Sequence, residues 1–162
     1  MGSKKIELSK QELLSEMEST SREHIRSVIA LDDIIIKILH INRTELRILD
    51  ALLDGPSIAS TLVNTAGVTP STMTSALDRL ELRDFIVRKR DLNDRRKVII
   101  ELTPRIMQLN EQTYNPIANE EMKLLNNFTE SDLDVIYRYL CMDRDLYKRY
   151  RSQFKKEFKI RD

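Results

Sequence analysis

One cysteine, three glycines, four prolines and no tryptophan in 162 residues exclude several kinds of protein at once. A lone Cys141 builds neither an internal disulfide framework nor a cysteine-based zinc site; on the apolar side of a late helix it reads as a small buried hydrophobe. Three scattered glycines cannot form a phosphate-cradling loop, and no Walker sequence is present. His24 and His40 fall on one predicted helix about 24 Å apart along its axis, too far to share a metal within one subunit. No catalytic constellation, cofactor or metal is therefore expected, and an enzyme is the least favoured class. A signal-peptide pattern and long apolar runs are also lacking, so no membrane partner is expected and the expected location is cytoplasmic. The shortage of Gly and Pro leaves long uninterrupted segments, which points to a mainly α chain with short connections and one core.

What is present is organised around Ser57 to Leu102. The segment Ser57–Ala66 reads as a short helix stopped at Gly67, the residue type that enters the left-handed conformation without steric penalty. Thr69 then caps a second helix whose first position is Pro70, where the missing amide costs nothing. Met73, Ala76, Leu77 and Leu80 form its buried stripe. Ser71, Thr74, Ser75 and Asp78 lie opposite, with Thr72 and Arg79 on the flanks. Water thus meets a row of small hydroxyls that lets the helix backbone approach a partner closely.

Two β-prone runs follow, Phe85–Val87 and Val98–Leu102. Between them Arg88, Lys89, Arg90, Arg95, Arg96 and Lys97 stand against Asp91 and Asp94, a local balance of +4 in a chain whose balance is +1. An arm so charged cannot be core, and nucleic-acid phosphate is the simplest partner for it.

In order and spacing, Gly55-Pro56, Gly67-Val-Thr-Pro-Ser-Thr-Met-Thr74, Leu77-Asp-Arg-Leu-Glu81, Asp94-Arg-Arg96 and Leu102-Thr103 resemble the MarR family of bacterial winged-helix transcription regulators. The resemblance is close from Asn42 to Thr103. It implies a mainly α fold with a small β-wing: a winged helix-turn-helix lobe at 42–103, with 1–41 and 104–162 forming a helical dimerisation lobe, one intertwined domain overall. It further implies a homodimer on a pseudo-palindromic operator in double-stranded DNA, acting as a repressor modulated by a small-molecule effector. The second helix would enter the major groove and the wing the adjacent minor groove. By position, Thr69, Pro70, Ser71, Thr72, Thr74, Ser75 and Arg79 would belong to the first contact. Arg88, Lys89, Arg90, Asp94, Arg95, Arg96 and Lys97 would belong to the second, with Asp94 orienting Arg96 by a charge-assisted contact. The family usually carries Arg where Ser75 stands, often a basic residue where Pro70 stands, and commonly Gly where Asp84 stands. Loss of those positive contacts sustains an alternative, a winged-helix protein-interaction module without DNA binding.

The flanks are helical. Ser9–Leu39 lacks Gly and Pro and is apolar around more than one stripe from Ile25 onward, as a helix buried against both its own domain and a second subunit would be. Asn42 opens the next helix, with Glu45 placed to complete a capping box. Thr103-Pro104 opens another, which Pro116 should kink by removing a hydrogen bond to the Gln112 carbonyl. Thr129 opens the last, whose stripe from Leu133 to Phe158 is too long for one small domain to cover. In its final part Lys148, Arg149, Arg151, Lys155, Lys156, Lys159 and Arg161 face only Glu157. Aromatic residues recur between them at helical spacing, so these cations read as the solvated side of an amphipathic helix, with added phosphate contacts as the alternative.

Overall fold

The computed structural model describes residues 8–91, 94 and 96–160. It divides into two compact units, Met1–Asn42 and Arg43–Asp162. The first is essentially one helix, α1 (Lys10–Leu39). Its start is a reciprocal capping box in which Ser9 Oγ accepts from the Glu12 amide and the Glu12 carboxylate accepts from the Ser9 amide. The Ser9 hydroxyl, which donates to that carboxylate at 2.6 Å, and then the Ser9 amide hold the Glu12 carboxyl below its ordinary pKa. Burial is confined to the last turns, at Ile35 and Leu39, while Ile25, Val28, Ile29, Ile34 and Ile38 are open to water in the single chain.

The second unit runs α2 (Arg43–Leu53), β1 (Ser57–Ile58), α3 (Ala59–Ala66), α4 (Pro70–Leu82), β2 (Ile86–Arg90), β3 (Val98–Leu102), α5 (Pro104–Leu125) and α6 (Glu130–Glu157). Its core is made by α2, α3, α4 and the sheet: Ile48, Leu52, Leu62, Met73, Ala76, Leu77, Leu80, Phe85, Ile86 and Ile100 are all buried. The turn signals act as expected. Gly67 adopts φ 66° and its amide donates to Val63, closing α3. Thr69 caps α4 by accepting from the Thr72 amide, with Pro70 at the first helical position. Thr103 does the same for α5. At α6 the box is again reciprocal, between Thr129 and Asp132, whose carboxyl is held below its ordinary pKa by the Thr129 hydroxyl and amide. Pro116 lies inside α5, which continues through it.

The sheet departs from the expected two-stranded arm. Ser57 and Ile58, read as the start of a helix, instead pair antiparallel with Ile100 and Ile99, and the strand order is β1-β3-β2. Two residues are too few to display alternation, yet they satisfy the free edge of β3. In the main ladder Ile86 faces Leu102, Arg88 faces Ile100 and Arg90 faces Val98.

Between α4 and β2 the chain turns at Asp84, with φ 57°. Its carbonyl accepts from Thr103 Oγ1 at 2.7 Å, and the next residue, Phe85, is buried with the guanidinium groups of Arg83 and Arg105 4.6 and 5.5 Å from the ring centre. A left-handed backbone at a residue with a Cβ costs about 1 kcal/mol relative to glycine, although aspartate tolerates it better than most. Asp84→Gly is accordingly expected to raise stability by about 0.5 kcal/mol after the greater freedom of the unfolded glycine chain is subtracted. Thermal unfolding checks it: a lower midpoint would mean that the Asp84 side chain itself holds the turn.

Among the described residues no helix is long and apolar enough to cross a membrane.

Candidate nucleic-acid interface

Helix α4 buries Met73, Ala76, Leu77 and Leu80 and turns Pro70, Ser71, Thr72, Thr74, Ser75, Asp78 and Arg79 outward, as the spacing requires. The hydroxyls are partly committed to one another. Thr69 Oγ1 lies 3.0 Å from Ser71 Oγ and 2.8 Å from Thr72 Oγ1, a cluster gathered at the positive end of the helix. Thr74 Oγ1 donates to the Pro70 carbonyl at 3.0 Å, which leaves its oxygen free to accept from a partner. Leu82, on the same polar side, is 89 % exposed, and no packing in this chain accounts for it.

The predicted cations divide into two sets. Arg79 is bound from behind: its Nε donates to Oε1 of Glu45 at 2.6 Å. Glu45, read from sequence as a capping residue of α2, is 5 % exposed and joins α2 to α4 through this pair. Arg88 is likewise engaged. It shares its sheet face with Ile86 and Ile100, so it points toward α4, where Nη2 meets Asp78 Oδ1 at 2.7 Å and Nη1 meets Glu81. Partial burial would lower its pKa, but the two carboxylates outweigh that and hold it above the ordinary value. Lys89, on the opposite face, reaches diagonally across the ladder to Glu101 at 2.5 Å.

Arg90, Arg96 and Lys97 form the other set, exposed toward the end of the arm. Arg95 lies outside the described residues. The loop is shaped by its two aspartates: Asp91 accepts from the Asp94 amide at 3.1 Å, and Asp94 accepts from the Arg96 amide at 3.1 Å. Lys97 Nζ lies 3.7 Å from the Asp94 carboxylate. Asp94 therefore contacts Arg96 through the main chain, fixing the turn from which the guanidinium projects. The resemblance had implied a contact between the charged side chains.

Four carboxylates to which the sequence reading assigned no cation, Glu45, Asp78, Glu81 and Glu101, thus decide how the cations are used. Alternation along β2 was the available signal for Arg88, since Ile86 and Arg88 are two apart and must share a face. Glu45 had no comparable signal.

Comparison with known proteins bears on what this arrangement serves. Residues 41–98 match the model of the MarR family. Over 104 residues the chain is 29 % identical to the uncharacterized HTH-type transcriptional regulator YcgE of Bacillus subtilis, covering 64 % of this chain and 68 % of that protein. Its fold is similar to that of the transcriptional regulator BldR of Sulfolobus solfataricus, at 25 % identity and a TM-score of 0.52, over 85 % of this chain and 99 % of BldR. It is also similar to Streptococcus pneumoniae FabT, solved in complex with DNA, at 19 % identity and a TM-score of 0.64, over 86 % and 99 % of the two chains. With the three-stranded sheet, the glycine-stopped α3 and the Thr-Pro start of α4 all in place, the segment 41–98 is similar to the MarR family, whose model it matches.

Proposed function

We propose that the chain is a homodimeric, sequence-specific regulator that binds double-stranded DNA, a repressor modulated by a small-molecule effector and acting in the cytoplasm. One observation carries the DNA-binding part: a single compact unit exposes both the hydroxyl row of α4 and an arm ending in Arg90, Arg96 and Lys97. Small hydroxyls allow close approach to base edges, and exposed cations supply the salt-dependent attraction to phosphate. FabT, whose fold is similar, binds DNA, which supports the same reading here.

Dimerisation draws its support from apolar surface that one copy leaves in water. Along α6, Tyr137, Leu140, Tyr147 and Phe158 are exposed, and α1 adds its own row from Ile25 to Ile38. On each helix these residues recur at helical spacing, and monomeric proteins rarely leave so many large apolar side chains in water. A dimer of such lobes would read a pseudo-palindrome whose half-sites lie about 10 base pairs apart. Repression and effector control rest on the family resemblance.

Arg96→Ala tests the reading. Operator affinity is expected to fall about tenfold, and the slope of log affinity against log salt to flatten by about 1 per protomer, while sedimentation still reports a dimer. An affinity that matches the unaltered chain throughout the salt titration would remove the arm from DNA, and sedimentation as a monomer at micromolar concentration would remove the dimer.

A further inference from the structure

The basic end of α6 does not simply hang in solvent. Arg151 Nη2 donates to the Asn64 carbonyl at 3.4 Å, in the last turn of α3, where helix carbonyls lack partners and the dipole is negative. The same guanidinium lies over Gly67: a Cβ built on that glycine would fall 2.2 Å from Arg151 Nη2. Gly67 is required for its positive φ, and a side chain there would also displace the flexible end of Arg151 from this seat. The contact brings the end of α6 to the turn that launches α4, only three residues before Pro70.

Lys148 and Lys155 stand three residues before and four after Arg151, on the same side of α6. Arg149 and Lys156 point about 100° or more away from that side. The turn that receives Arg151 offers no carboxylate, because 57–69 contains no Asp or Glu. Lys148, exposed near Asp145, and the half-buried Lys155 are thereby carried to the side of α6 that meets the turn launching α4.

We propose that the basic end of α6 is a second DNA contact directed at the sugar-phosphate backbone, seated on the helix-turn-helix by Arg151 and presenting Lys148 and Lys155 to the phosphates flanking the groove that α4 enters. It rests on the DNA-binding reading above and replaces the sequence expectation of a merely solvated face. Phosphates line both edges of a groove at high charge density, so cations placed beside an entering helix meet them without reading sequence.

Two matched variants separate this role from bulk charge. Lys148→Gln/Lys155→Gln and Arg149→Gln/Lys156→Gln each remove two charges per protomer. Binding to a duplex selected from random sequence by the unaltered chain is measured by anisotropy from about 50 to 200 mM salt. The first pair is expected to flatten the log–log slope by about 2 or more per dimer and to weaken binding about tenfold near 150 mM, with base preference unchanged. The second pair is expected to change the slope by less than half as much. Equal changes from both pairs, or none from the first while Arg96→Ala still flattens the slope, would overturn the proposal. Silence from Arg96→Ala as well, or no duplex selected at all, would overturn the DNA-binding reading beneath it. If the first pair disturbs the thermal transition, Lys148→Gln alone carries the test with half the slope change, since Lys148 is exposed on the helix surface.

Discussion

Arg88→Ala is expected to destabilise the chain by about 1.5 kcal/mol and to weaken operator binding about tenfold, with no change in the salt dependence of binding. Arg88 is 28 % exposed and joins β2 to α4 through Asp78 and Glu81, which are themselves 60 % and 39 % exposed. Charge-assisted bonds of this kind contribute more than neutral ones, but solvent around both carboxylates screens them, so the estimate sits well below that for a buried pair. Loss of the tie lets the arm move relative to the hydroxyl helix, and affinity falls because both must then be positioned on binding. A phosphate ligand behaves otherwise: its removal flattens the salt slope, as predicted for Arg96. Asp78→Asn and Glu81→Gln should each reproduce part of the Arg88→Ala effect. A flattened slope with unaltered thermal stability would make Arg88 a phosphate ligand after all.

That distinction marks how far the amino-acid sequence could be read. Elements with a strong local signal were legible: glycine after α3, threonine and proline before α4 and α5, and the paired Thr129 and Asp132 at α6 all stand where helix termini demand them. The buried stripe of α4 followed from helical period alone. Strand β1 was not legible, because two residues carry no period and their pairing with β3 depends on a partner more than forty residues away. Charge was legible as composition but not as use. Six cations between Arg88 and Lys97 look equivalent in sequence, whereas Arg88 and Lys89 are held by Asp78, Glu81 and Glu101, and only geometry assigns those partners. Asp84 shows the reverse case. The glycine common at that position in the family is absent, yet the backbone there keeps the left-handed conformation that glycine favours.

Arg79→Ala is expected to have the larger effect on stability, about 2 kcal/mol, and again none on the salt slope. Glu45 is the reason. Its carboxylate is nearly inaccessible to water, so removing the guanidinium leaves a buried charge with one fewer compensating group, the costly direction in which to break an ion pair. Fully buried pairs lose about 3 to 5 kcal/mol in this way; the half-exposed Arg79 end lets water recover part of that. Replacing both partners, as Arg79→Ala/Glu45→Gln, removes the charge that the single variant strands and should restore about 1 kcal/mol, a non-additivity that a double-mutant cycle measures directly. The pair also joins α2 to the helix that bears the hydroxyl row, so Glu45→Gln alone should loosen α4 without touching its outer face. If Arg79→Ala instead leaves the unfolding midpoint where it was and flattens the salt slope, the side chain turns outward to phosphate on binding, and α2 does not position α4 through it.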